Sequence, residues 1–190
     1  MQRRKVIAVI GDGKIESNGD EYNLAFETGR LLVDAGYRIQ TGGLGGVMSA
    51  AFEGARSSSH YKEGDTIAIV PSFDRESASE FADIVIPTGL DIMRNAIVVN
   101  ADAVVAIGGG AGTLSEIALA WSLFKLIVAY KGSGGWSAKL ADQKIDARVR
   151  YEDIADDRIY GVDSAQQMLS IINSNIERYT RVHRGIASRR

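Results

Sequence analysis

Val104-Val105-Ala106-Ile107-Gly108-Gly109-Gly110-Ala111-Gly112-Thr113-Leu114-Ser115-Glu116 carries the chain from an apolar run through a glycine cluster into an amphipathic segment. The run reads as a buried strand and the segment, from Gly112 to about Phe124, as a helix. Glycines between them let backbone approach a ligand closely. A helix that starts there aims unpaired N–H groups and a partial positive charge at the turn, an arrangement that binds phosphate and other anions. Thr113-Leu114-Ser115-Glu116 also spells a capping box, in which Thr and Glu satisfy amides of the first turn. On these residues alone Glu116 is a cap or a ligand-facing carboxylate, and both readings stand open.

Outward from this stretch, the same alternation repeats. Val6 to Ile10, Tyr37 to Thr41, Thr66 to Val70, Ile84 to Ile86 and Leu126 to Tyr130 read as strands, and Ile159 to Val162 as a last edge strand. Helical stripes run from about Asp20 to Ala35, from Val47 to Ala55, and past Asp91 through Met93, Arg94, Ile97 and Val98. A closing helix carries Met168, Leu169, Ile172, Ile176 and Tyr179; Asp91 and Asp163 are the expected N-caps. Ser72 to Ala82 reads as a polar loop or weak helix, and residues 136–158 give no clear period. Strands alternating with helices predict a three-layer α/β domain, a Rossmann-like fold with a mostly parallel sheet of about six or seven strands. At 190 residues, without a repeat or linker, one domain is expected, with residues past about 180 as a frayed tail.

Composition narrows the function. The formal charge of −2, with acids and bases mixed, does not call for nucleic acid, and the C-terminal arginines (Arg178, Arg181, Arg184, Arg189 and Arg190) read as a solvated end. Without cysteine there is no thiolate zinc site, and His60 and His183 have no partners at metal-ligand spacing, so no metal is expected. The apolar run after Arg3-Arg4-Lys5 is too short for an export signal, and no run approaches the roughly 20 residues of a membrane span. A cytoplasmic protein is expected, with no membrane partner.

All four glycine clusters follow predicted strands, so in a parallel sheet they converge on its carboxyl edge, where ligands of such folds bind. Gly11-Asp12-Gly13-Lys14 lacks the third glycine of a dinucleotide fingerprint, Glu16 standing in its place, and no Gly-Lys-Ser/Thr triphosphate loop occurs. Gly11 and Gly13 serve a tight turn or touch ligand. Gly42-Gly43-Leu44-Gly45-Gly46 holds more glycine than one turn needs, which points to close approach of a ligand or a neighbouring loop, with Thr41 offering a hydroxyl. After Gly132-Ser133-Gly134-Gly135, Trp136 stacks on a flat ring or anchors a subunit contact. Tyr130, Lys131, Asp91 and Ser115 stand near the same edge.

Gly109-Gly110-Ala111-Gly112-Thr113-Leu114-Ser115-Glu116 resembles the glycine-rich motif of the LOG family, phosphoribohydrolases often mislabelled lysine decarboxylases. Met93-Arg94 resembles that family's second motif, and Gly42-Gly43 through Met48 its first glycine loop; together the likeness spans residues 5 to about 131. Gly108 replaces the family proline and Asn95 the lysine after the arginine. With Ile10 to Lys14 and Thr88-Gly89-Leu90, these departures are more similar to a sister group containing the molybdenum cofactor carrier proteins.

The resemblance implies a phosphorylated, purine- or pterin-like ligand, such as a nucleoside monophosphate or a molybdopterin-type cofactor, with no cofactor required for chemistry. It implies a homodimer or homotetramer with the Arg94 and Gly112 helices at the interface. Two functions remain: carrier-like binding, or hydrolysis of nucleoside 5′-monophosphates with Glu116 stabilising positive charge on the ribose or activating water and Arg94 orienting it. The expected ligand contacts are Gly11, Gly13, Lys14, Gly42, Gly43, Gly45, Gly108, Gly109, Gly110, Ala111, Gly112, Thr113 and Trp136.

Overall fold

Seven parallel strands, in the order β4-β3-β2-β1-β5-β6-β7, form the sheet of the computed structural model, which describes residues 3–185. In chain order these are β1 (Val6–Gly11), β2 (Arg38–Thr41), β3 (Thr66–Val70), β4 (Ile84–Pro87), β5 (Ala103–Ile107), β6 (Leu126–Tyr130) and β7 (Ile159–Val162). The helices are α1 (Asp20–Asp34), α2 (Val47–Ser57), α3 (Asn95–Val98), α4 (Ala111–Ser122), α5 (Gly135–Leu140) and α6 (Ala165–Asn175). The chain winds outward from β1 to β4, then crosses back to lay β5 beside β1, with Gly11 in register with Ile107. That reversal is the topological switch point, and it sets the first glycine turn next to the one after β5.

Alternation along each strand divides the core. Ile7, Val9, Val105, Ile107 and Val128 face α1, α2 and α6; Ala8, Ile10, Val104, Ala106 and Ile127 face α3, α4 and α5. The three-layer parallel architecture expected from the sequence is the one observed, with all seven strands parallel. Helices α1 and α2 touch backbone to backbone, because a Cβ on Gly29 would collide with the Ala51 carbonyl and one on Gly54 with the Phe26 carbonyl. Coverage is thinner at the β4 end. Helix α3 has only four residues, and Ile84 and Ile86 on β4 remain partly exposed on its side of the sheet.

Three expected caps are not formed. Asp91 has a φ of 48° and opens a 3₁₀ turn, Asp91–Arg94, with Leu90 as its N-cap. For α6 the cap is Ser164, one residue beyond Asp163, accepting from the Gln167 amide. Helix α4 is capped by Gly110, which leaves Thr113 inside the first turn and Glu116 in the second, so the capping box does not exist. Only Ser164 supplies a side-chain cap; Leu90 and Gly110 make none. Helix α6 also stops at Asn175, although Ile176 and Tyr179 beyond it are buried as its period implied. Arg189 and Arg190 lie outside the described residues.

Candidate functional site

The loops after β1, β2 and β5 and the segment after β4 enclose a cleft of about 420 Å³ at the carboxyl edge. It is lined by Gly11, Asp12, Gly13, Leu44, Met48, Pro71, Asp91, Ile92, Arg94, Asn95, Gly110, Gly112, Thr113 and Glu116. Helix α4 brings its first turns to the wall. With Gly110 as an N-cap lacking a side chain, no acceptor among the described residues takes the N–H groups of Ala111, Gly112 and Thr113. These donors and the helix dipole make an anion-binding end.

The turn before α4 owes its form to glycine and to the fourth loop. Gly108 and Gly109 have φ of 60° and 91°, where side chains are strained and where proline, held near −65°, has no place. This is the physical content of Gly108 standing where the LOG motif has proline. The Gly108 N–H donates to Ser133 Oγ at 2.8 Å, while Trp136 and Ser137 donate their amides to the carbonyls of Gly109 and Gly108. Loop four therefore buttresses the turn from behind. Trp136 is half-buried outside the cleft, with Lys139 Nζ 4.7 Å above its ring.

Arg94 crosses from the segment after β4. Its Nε donates to Ile69 O at 2.9 Å, Nη2 to Gly42 O at 3.2 Å and Nη1 to Asn95 Oδ1 at 3.1 Å. Five N–H groups minus three donated leaves two for a ligand. Asn95, only 3% exposed, continues the chain through Nδ2 to Ser115 Oγ at 2.8 Å, and Ser115 donates to Gly112 O. One hydrogen-bonded line thus ties Arg94 to the first turns of α4. Burial pulls the guanidinium's pKa down, opposed by Glu116 and Asp91, but an arginine stays charged.

Glu116 lies one helical turn beyond Gly112 and Thr113 on the same face. It is 8% exposed, and among the described residues no hydrogen bond or ion pair reaches its carboxyl group. Burial pushes its pKa up to about 7, against the opposing pull of Arg94. A carboxyl held near neutrality in a cleft is suited to proton transfer or to a protonation-dependent contact.

Of the residues expected at the ligand, Gly11, Gly13, Gly110, Gly112, Thr113, Arg94 and Glu116 line the cleft together. Lys14, Gly42, Gly43, Gly45, Gly108, Gly109, Ala111 and Trp136 do not line it. The glycine surplus after β2 serves packing: a Cβ on Gly42 would meet Arg94 Nη2 at 2.8 Å, and one on Gly46 would strike the backbone of Asp12 and Gly13. Thr41 turns its hydroxyl to the Gly43 amide, and Tyr130 bonds Thr28 in the core. Asp12, Leu44, Met48, Pro71, Ile92 and Asn95 also line the cleft, although none of them was among the expected ligand contacts. Asp12, Leu44 and Pro71 lie within three residues of a strand's carboxyl end, a signal available in the sequence.

A family model described as the SLOG cluster4 family matches residues 4–168. An uncharacterised protein of Archaeoglobus fulgidus is 40% identical over 126 residues, 66% of this chain and 79% of that one. The molybdenum cofactor binding protein from Rippkaea orientalis superposes with a TM-score of 0.75 at 30% identity, covering 93% of this chain and 99% of that one. The Moco carrier protein from Chlamydomonas reinhardtii gives a TM-score of 0.72 at 26% identity, covering 93% and 99%.

Proposed function

The chain belongs to the SLOG cluster4 family, and on that premise we propose that it is a carrier-like protein for a phosphorylated heterocycle of molybdopterin type. The observation that carries this reading is the uncapped start of α4, whose free amides face a cleft that also holds Arg94. In this reading the Gly112 and Thr113 amides hold the phosphate, and the two spare Arg94 N–H groups meet the same anion. Leu44, Met48, Pro71 and Ile92 offer apolar surface to the ring. The names of the two solved relatives support a molybdenum cofactor as cargo.

Native mass spectrometry of protein purified from its own host tests the cargo. A bound pterin is expected, and Arg94→Ala should weaken its retention about tenfold or more, the loss of one to two charge-assisted hydrogen bonds at roughly 1.5–3 kcal/mol each. Protein that emerges empty and takes up neither a pterin nor a nucleotide would sink the reading.

The Glu116 carboxyl favours a second reading, a phosphoribohydrolase acting on nucleoside 5′-monophosphates. A group with a pKa of about 7 serves as general base or acid at neutral pH. Release of free base from a nucleoside monophosphate by the wild type, lost in Glu116→Gln, would decide for hydrolysis.

The cleft borders an apolar surface. Ile84, Ile86, Leu90, Ile92, Met93 and Ile97 are exposed along β4 and the segment leading into α3, with Ile92 at 57% and Met93 at 73%. An uncovered face on a parallel sheet marks an interface, and a homodimer or homotetramer assembled through it is the proposed state. Light scattering should return a dimer or tetramer for the wild type and a monomer for Ile92→Glu/Met93→Glu. A monomeric wild type at micromolar concentration would remove this part.

A further inference from the structure

We propose that the cleft binds its anionic ligand together with one proton, held on Glu116. This rests on the anion-cradle reading above and adds what that reading leaves unused, a buried carboxyl group with no partner among the described residues. Helix α4 sets Glu116 in the wall that also presents Gly112 and Thr113, so an anion on the first-turn amides lies within a turn of its carboxyl. Ionised, Glu116 repels such a ligand; protonated, it donates a hydrogen bond to it. Arg94 offsets that charge only in part: three of its donors are committed to Ile69 O, Gly42 O and Asn95 Oδ1, no ion pair joins the two, and burial outweighs its pull on the carboxyl.

The other charged groups of the cleft make the proton more necessary. Asp12 faces in from the loop after β1, and Asp91 stands beside Arg94 on the segment after β4. Three carboxyl groups thus line the site against one cation. Behind Asp12, burial and then the Asp12 charge push the Glu21 carboxyl upward. His60 and His183 line other surface depressions. Among these groups Glu116 is the buried one in direct line with α4, and burial already brings its proton within reach of neutral pH. An anion next to it raises that pKa further, so binding above pH 7 draws a proton from solvent. The same proton bars Glu116 from activating water, which favours holding the ligand over hydrolysing it.

Sulfate is the probe, a tetrahedral dianion whose own charge is constant between pH 5.5 and 8.5. Calorimetric titration at pH 8 in two buffers of different ionisation enthalpy should show uptake of about one proton per sulfate, and affinity should fall about tenfold per pH unit above 7. In Glu116→Gln sulfate should still bind, with no uptake and a flat profile, whereas Glu21→Gln should keep the wild-type slope. Sulfate bound without proton uptake, or a slope unchanged in Glu116→Gln, overturns the proton site and leaves the cradle standing. Failure of wild type and Glu116→Gln alike to bind sulfate at pH 6 overturns the cradle and this inference with it.

Discussion

Replacing Arg150 by methionine is expected to cost about 3–5 kcal/mol, the penalty for stranding a buried charge. Arg150 is 1% exposed, and its Nε and Nη2 grip both oxygens of Asp157 at 2.9 and 2.5 Å. Nη1 donates to the carbonyls of Trp121 and Lys125 at the end of α4, and the guanidinium lies 3.7 Å from the Trp121 ring centre. The Tyr179 hydroxyl donates to the same carboxylate at 2.8 Å, and Arg181 Nη1 donates to Arg150 O. One side chain therefore joins the loop before β7, the end of α4 and the segment after α6. For a chain of this size the loss corresponds to a melting point lower by about 6–20 °C. Adding Asp157→Asn to Arg150→Met should recover much of it, since the stranded charge is then gone. A scanning calorimeter showing less than a 2 °C change for the single variant would mean the pair is not the keystone described.

Glu116→Gln is expected to stabilise the protein at pH 8, by up to about 3 kcal/mol. Folding raises this carboxyl from 4.5 to about 7 by burial. A raised pKa means the native state holds the proton more tightly. Its contribution to stability is therefore full below pH 4.5 and is lost as the pH climbs through 7, at about 1.36 kcal/mol for each tenfold difference in proton affinity between the folded and unfolded chain. Glutamine keeps the shape and never carries the charge. The variant should melt roughly 6–12 °C above wild type at pH 8 and level with it near pH 4.5. A difference that does not change with pH would contradict a buried, unpartnered carboxyl. A capping glutamate would behave differently, because its removal gives no gain at high pH, and α4 is capped by Gly110 instead.

The strands were legible because strands buried on both faces write themselves as short, near-continuous apolar runs. Thr66–Val70, Leu126–Tyr130 and Ile159–Val162 run from the first to the last residue expected. Parallel pairing then brings every glycine cluster to one edge, so the position of the cleft beside the start of α4 was readable too. Arg94 and Glu116 stood out by resemblance, and both line the cleft.

Tertiary contacts alone decided which glycine does what. Gly42 is small because a Cβ there would meet Nη2 of Arg94, 52 positions away, at 2.8 Å, and Gly108 and Gly109 are bent against a buttress that comes from the loop after β6 and from α5. Arg150 lay unseen in a charged stretch without a period. Whether Glu116 caps the helix or lines the cleft turned on three residues of offset in the N-cap of α4, Gly110 rather than Thr113. Hydrophobic periodicity records which face of an element is buried, and so it specifies strands, helices and the sheet edge they share. A polar group's partner is chosen by elements distant in the chain, and only the folded packing brings that partner within hydrogen-bond reach, or, at Glu116, withholds it.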